Sequence, residues 1–269
     1  MRTILNSFIL ILGLSTQSLA DVYQDLYDAM YLDDIAEIMQ DEGGDYVDSI
    51  GTSYLEGRSL DRYKEQGHKL YDLAGLQTGL LNGLREELDA DVAAQVLEFY
   101  ETEAGQIAAK LEVSARRAIS DQAVEDMAEA MVQEARSTQP ERIADLLKFI
   151  QDLDLVQKNL EGSFNSQFAF LSEISTVRQF GLDEQTILGL LAEGQSETER
   201  NIKQWLMAFT FMAYQPLTDK QFNAYLGMQR SDIGQDLNTA LFTVFHDIDT
   251  QISRDLGKIV ARLLTSQDL

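Results

Sequence analysis

Apolar residues along this chain of 269 residues recur three and four positions apart and seldom alternate, a spacing that predicts helices rather than strands. Leu26 and Met30, then Ile35, Ile38 and Met39, predict two short helices broken near Asp33-Asp34. The Gly43-Gly44 pair of "DEGGDY" predicts a stop, because glycine gives up the most backbone freedom in a helix. Helical signals resume over Val47 to Leu55 and again from Leu60 to about Glu87, with Gly67, Gly75, Gly79 and Gly83 allowing a bend or close helix contacts. The clearest pattern is the last. From Ile233 through Leu237, Leu241, Val244, Phe245, Ile248, Ile252, Leu256, Ile259 and Val260 to Leu263, one apolar stripe persists, with Asn238, Asp249, Ser253 and Lys258 off it. Such a stripe needs a partner surface. Core packing within the chain is preferred to a membrane-lying helix, whose polar face would be basic.

A second pattern lies on top of the first. "YETEAGQ" at Tyr100 to Gln106 is echoed by "QRSDIGQ" at Gln229 to Gln235. With Leu88 aligned on Leu217, the pairs Leu97 and Leu226, Thr102 and Ser231, Glu103 and Asp232, Gly105 and Gly234, and Gln106 and Gln235 coincide without a gap. Thr102 and Ser231 are placed as N-caps, and Glu103 and Asp232 follow in the first helical turn, beside the positive end of the dipole. Gly105 and Gly234, lacking side chains, would let another helix come close. "PLTDKQF" adds a capping box, Thr218 with Gln221, and a staple of Leu217 on Phe222; Asp89 caps more plainly in "ELDADVA". Each unit therefore predicts a helical hairpin: Asp89 to Tyr100 and Ala104 to about Ser120, then Thr218 to Gln229 and Ile233 onward. Duplication is preferred to chance as the origin of the echo. Thr102, Gly105, Ser231 and Gly234 are thereby a structural motif and not a reaction site.

Pro140, one of only two prolines, is suited to the first turn of a new helix in "EARSTQPERIADLL". This places a boundary near Ser137 to Gln139, between a first helical unit at 21–137 and a second at 138–269, whether or not they share one core. Residues 1–20, "MRTILNSFILILGLSTQSLA", have the charged start, apolar run and small residues of a secretory signal, with cleavage expected after Ala20 and a periplasmic destination. No later run is apolar for long enough to span a bilayer, so no integral membrane segment is expected after signal removal.

Charge and residue types narrow the function by exclusion. The formal net charge of −24 disfavours nucleic acid as a partner, and the acids are spread as solvated helix faces would require. The chain has no cysteine, which removes thiol chemistry, disulfides and lipid attachment at a cleaved N-terminus. His68 and His246 are far apart; His246 has Asp249 and Thr250 at helical spacing, on a face with Thr239, Thr243 and Ser253 that predicts exposure to water. There is no HExxH, DxDxDG, GxSxG, GxGxxG or P-loop pattern. Acid pairs such as Glu101 with Glu103 or Asp152 with Asp154 follow from composition alone. Glu112 and Arg116 are expected to form an exposed helical pair worth about 0.3 kcal/mol. Tyr23, Tyr27 and Tyr31 form either a docking face or, as preferred, a buried one; Trp205, Leu206, Phe209 and Met212 are expected in the core.

"VLEFYETEAGQ", "IAEIMQDEG", "DLVQKN" and "AYQPLTDKQFNAYLGMQRSDIGQDLN" together resemble the bacterial family known as domain of unknown function 2059, in its alphaproteobacterial form. The resemblance implies a secreted, all-helical protein and no established reaction. Its signature has proline where this chain has Glu103 and Asp232; both suit a first helical turn. The expectation is thus an all-α fold of about ten helices, with two related hairpin units packed into one or two abutting bundles. No catalytic, cofactor-binding or metal-ligating residue is assigned, and no cofactor. The expected role is non-enzymatic binding, scaffolding or envelope maintenance, with an unknown protein or envelope component as partner. The alternatives are a carboxylate-based periplasmic hydrolase and a homo-oligomer built through the final helix.

Overall fold

A computed structural model describes residues 21–177 and 180–267; the expected signal segment lies outside the described residues. Twelve α-helices, one 3-10 turn and no strand occur among them. In chain order they are α1 (Val22–Ala29), α2 (Leu32–Tyr54), α3 (Gly57–Gly67), the 3-10 turn (His68–Tyr71), α4 (Leu73–Glu87), α5 (Ala90–Tyr100) and α6 (Glu103–Ile119). There follow α7 (Gln122–Thr138), α8 (Pro140–Asp152), α9 (Leu155–Ile174), α10 (Glu184–Tyr214), α11 (Asp219–Gln229) and α12 (Asp232–Gln267). The all-helical class matches the spacing of apolar residues. None of these helices is long and apolar enough to cross a membrane.

Three boundaries differ from those read in the sequence. The first break falls at Met30 and Tyr31, where Tyr31 takes a left-handed backbone (φ 56°), while Asp33 and Asp34 sit in the first turn of α2 beside its positive end. The glycine pair at 43–44 does not stop α2, which runs through it for 23 residues. Tertiary contact explains this: the Tyr71 ring lies where a side chain on Gly43 would be, so burial of an aromatic face offsets the weak helix propensity. The stretch from Leu60 to Glu87 is two helices, parted by the 3-10 turn and by Asp72, whose carboxylate accepts from the Gly75 N–H (3.0 Å) and caps α4.

Helix α12 is the spine. It packs along α9 and also against α2, α3, α4, α5 and α11. One apolar cluster joins Leu80 and Leu84 of α4 and Val47 of α2 to Phe170 and Ile174 of α9 and to Val244, Leu256 and Val260 of α12. A second gathers α6 to α11 around Leu146, Phe149, Phe211, Tyr214, Phe222 and Tyr225. Residues from both sides of Gln139 thus share a core.

Two corners are built alike. Thr102 Oγ1 accepts from the Gly105 N–H (3.1 Å) and donates to the Phe99 carbonyl (2.7 Å). Ser231 Oγ accepts from the Gly234 N–H (3.3 Å) and donates to the Met228 carbonyl (2.5 Å). A Cβ on Gly105 would lie 2.7 Å from the Tyr100 Cα, and one on Gly234 would lie 2.7 Å from the Gln229 Cα. Another helix does come close to each glycine, as the sequence suggested, and it is the one just before it in the chain, α5 at Gly105 and α11 at Gly234. The two hairpins also exchange contacts reciprocally: α5 packs on α12, and α11 packs on α6. Tyr100 and Gln229, which hold equivalent places, touch, with Gln229 Nε2 donating to the Tyr100 hydroxyl (3.2 Å).

Candidate functional site: an interhelical cavity

Helix α6 turns one face inward through Ala109, Glu112, Val113 and Arg116, at the three- and four-residue spacing of a single helical side. These residues form one wall of a cavity of about 560 Å³. The opposite wall is α12, through Asn238, Leu241, Phe242 and Phe245, each standing 129 positions after its counterpart in α6, as Gly234 does after Gly105. Helix α10 closes a third side with Trp205, Leu206 and Phe209, and α2 contributes Ile35, Met39 and Glu42. Trp205 stacks on Phe209 (5.1 Å between centroids, 6° between planes) with the Arg116 guanidinium 5.3 Å from its ring. The wall is mainly hydrocarbon and aromatic, with polar groups at its two ends.

At the inner end Glu112 is partly buried. Its Oε1 accepts from the Tyr214 hydroxyl (2.5 Å) and from the Tyr225 hydroxyl. Each tyrosine has one proton and gives it to the carboxylate, so the 3.0 Å approach of the two hydroxyls adds no further bond. Gln229 Nε2 donates to Tyr225 (2.9 Å), which ties the carboxylate to Tyr100 through one amide. Burial raises the carboxyl pKa of Glu112, and the two tyrosine bonds partly oppose that rise. Burial and the nearby Glu112 hold all three tyrosines well above their ordinary value.

At the other end the cavity opens past Tyr46, which is 39% exposed. Glu42 pairs with Arg116 here, and burial still raises the Glu42 pKa. Asp249 lines the cavity and, like Tyr46, is exposed where the cavity reaches the surface. Burial, then the charge of Glu42, pushes its pKa up to about 6 against the pull of Arg116. His246 also lines the cavity. Its ring lies over Gly162 and edge-on to Phe242 (5.4 Å), and burial lowers its pKa.

Several expected placements change here. His246 faces the cavity, not bulk water, because α9 comes close enough at Gly162 to cover it. Glu112 and Arg116 do not pair with each other: both point inward, one to tyrosines and one to Glu42. The motif residues Thr102, Gly105, Ser231 and Gly234 shape the hairpin corners and stay out of the cavity lining. Tyr23, Tyr27 and Tyr31 are tied into the body, donating to the Leu88 carbonyl (2.9 Å), Asp33 (2.9 Å) and Gln106 (2.8 Å). His68 lies at the surface beside Asp48 (3.1 Å). Asp152 pairs with Lys148 (2.7 Å) and Arg230 (2.8 Å), away from the cavity. No group of three or more potential metal ligands occurs among the described residues. Sequence reasoning missed Glu42, Glu112 and Asp249 as a set. The available signal was position: Glu112 stands among Ala108, Ala109, Val113 and Ala115 on the apolar face of its helix.

Residues 76–134 match a family described as an uncharacterized protein conserved in bacteria, domain of unknown function 2059. This segment takes in the first hairpin with Thr102, Gly105, Glu112 and Arg116, and ends before the second. No curated protein and no solved structure matches the chain.

Proposed function

We propose that the mature chain is a non-catalytic binding protein of the bacterial periplasm, and that its ligand occupies the cavity between α6 and α12. The observation that carries this reading is the cavity itself. A volume of about 560 Å³, a mainly apolar lining and a few converging polar groups are the usual features of a small-molecule site. Its place supports the same view: matched positions of the two hairpins face each other across it, as expected if a duplicated unit had closed around a ligand. The polar groups serve recognition better than reaction. Glu42 is paired with Arg116, Glu112 is held by two tyrosines, and the Thr210 hydroxyl donates to the Leu206 carbonyl (2.6 Å).

Trp205 is the sole tryptophan and lines the cavity, so its emission reports occupancy directly. Mature protein titrated with long-chain amphiphiles is expected to show a saturable change in Trp205 emission at one equivalent. Turnover of a hydrolase substrate panel that disappears on Glu112→Gln or Asp249→Asn would overturn the non-catalytic reading. The periplasmic reading rests on residues 1–20. It predicts release of a chain beginning at Asp21 by osmotic shock, and an unprocessed cytoplasmic product would refute it.

A further inference from the structure

The charges around the cavity are unequal. Three carboxylates face it, from Glu42, Glu112 and Asp249, and the fixed cation opposite them is Arg116. Arg116 is already engaged, with Glu42 on one side and the Trp205 ring on the other. His246 is held toward its neutral form by burial, and Lys158 behind it is bonded to Asn238. Asp249, exposed at the mouth, receives no hydrogen bond from the described residues, and the partly buried Glu112 is bonded through Oε1. A carboxylate at the mouth of an apolar cavity, with no internal donor, is open to a charge-assisted bond from a ligand.

We propose, building on the binding role above, that the cavity selects an amphiphile with a positively charged amine head. The head would sit at the mouth against Asp249, with the apolar body running inward along α12. From Leu237 to Asp249 that helix rises roughly 18 Å, enough to line an extended alkyl chain. Trp205, Phe209, Phe242 and Phe245 supply the apolar walls, and the Tyr46 and Tyr71 rings beside Asp249 add faces that favour a cation. An anionic head is disfavoured at both ends. At the mouth it would meet Asp249 and Glu42, at the inner end Glu112, and it could reach Arg116 only by displacing Glu42.

The test compares dodecylamine, dodecanol and dodecanoate on the mature chain, each below its micelle-forming concentration, at about 0.15 M salt to screen the overall negative charge. Trp205 emission and calorimetry provide the readouts. Dodecylamine is expected to bind about tenfold more tightly than dodecanol, with dodecanoate weakest. Asp249→Asn is expected to bring the amine down to the level of the alcohol and leave dodecanol unchanged. Glu193→Gln, on an exposed part of α10, should leave all three affinities as they are. Equal binding of the three ligands keeps the cavity as a binding site and overturns the amine head. The same holds if dodecanoate binds most tightly, or if Asp249→Asn and Glu193→Gln weaken the amine equally. No binding of any of the three overturns the cavity reading as well. If Asp249→Asn fails to fold, the three ligands on the unaltered chain still decide the sign of the head.

Discussion

Glu112 and Asp249 are both carboxylates in an apolar cavity, yet they sit in different chemical circumstances. Glu112 is the acceptor on which two buried tyrosine hydroxyls depend. Glu112→Gln keeps an acceptor and removes a charge, so stability is expected to hold or rise. Glu112→Leu removes that acceptor; one hydroxyl can then turn to the other, 3.0 Å away, which leaves one buried proton without a partner at an expected cost of about 1–3 kcal/mol. Urea denaturation of the two variants separates these effects. Asp249 has no such bonds, and its folded pKa is about 6, above that of an ordinary aspartate. The folded state therefore holds this proton more tightly than the unfolded one. The resulting stabilisation is complete below about pH 4 and is lost as pH rises through about 6. Accordingly, Asp249→Asn is expected to melt higher than the unaltered chain at about pH 8 and to match it below about pH 4. Equal melting at both would show that the neighbours named here (Glu42, Arg116, Tyr46 and Tyr71) do not perturb the carboxyl.

Among the helices, the two corners depend on what a glycine omits. Gly105→Ala and Gly234→Ala each push a methyl into the end of the preceding helix, and each is expected to cost about 1–3 kcal/mol. Gly227, inside α11 and meeting nothing within 4 Å, supplies the contrast: Gly227→Ala is expected to add about 0.5–1 kcal/mol. Thr102→Ala removes the hydroxyl that caps α6, at about 1 kcal/mol. Chemical denaturation of the four variants checks the order. The corners were legible in the sequence because capping and acidic first turns are local rules. Which helix comes close was not, since a glycine announces a near approach without naming the partner. Residues 43–44 show the same gap from the other side. Propensity predicted a stop there, and the Tyr71 ring, 28 positions further on, overrides it.

For the molecule as a whole, the governing fact is that α12 runs through the middle of its own chain. The stripe from Ile233 to Leu263 is taken up by α2, α3, α4, α5, α9 and α11, which leaves little of it for a second copy. Light scattering is expected to give a monomer; a stable dimer at micromolar concentration would contradict this. The sequence by itself determined the helical class, the caps, the positions of the two hairpins and the match of one to the other, because each depends on residues within one or two turns. It also excluded thiol chemistry by composition. Tertiary structure alone decided that α6 and α12 stand across a cavity from each other. It alone brought Glu42, Glu112 and Asp249, three of many acids, to the lining of one cavity. The physical reason is range. A cap or an apolar stripe is set by neighbours in sequence, whereas the pKa of a carboxyl and the shape of a cavity are set by what distant segments bring to it.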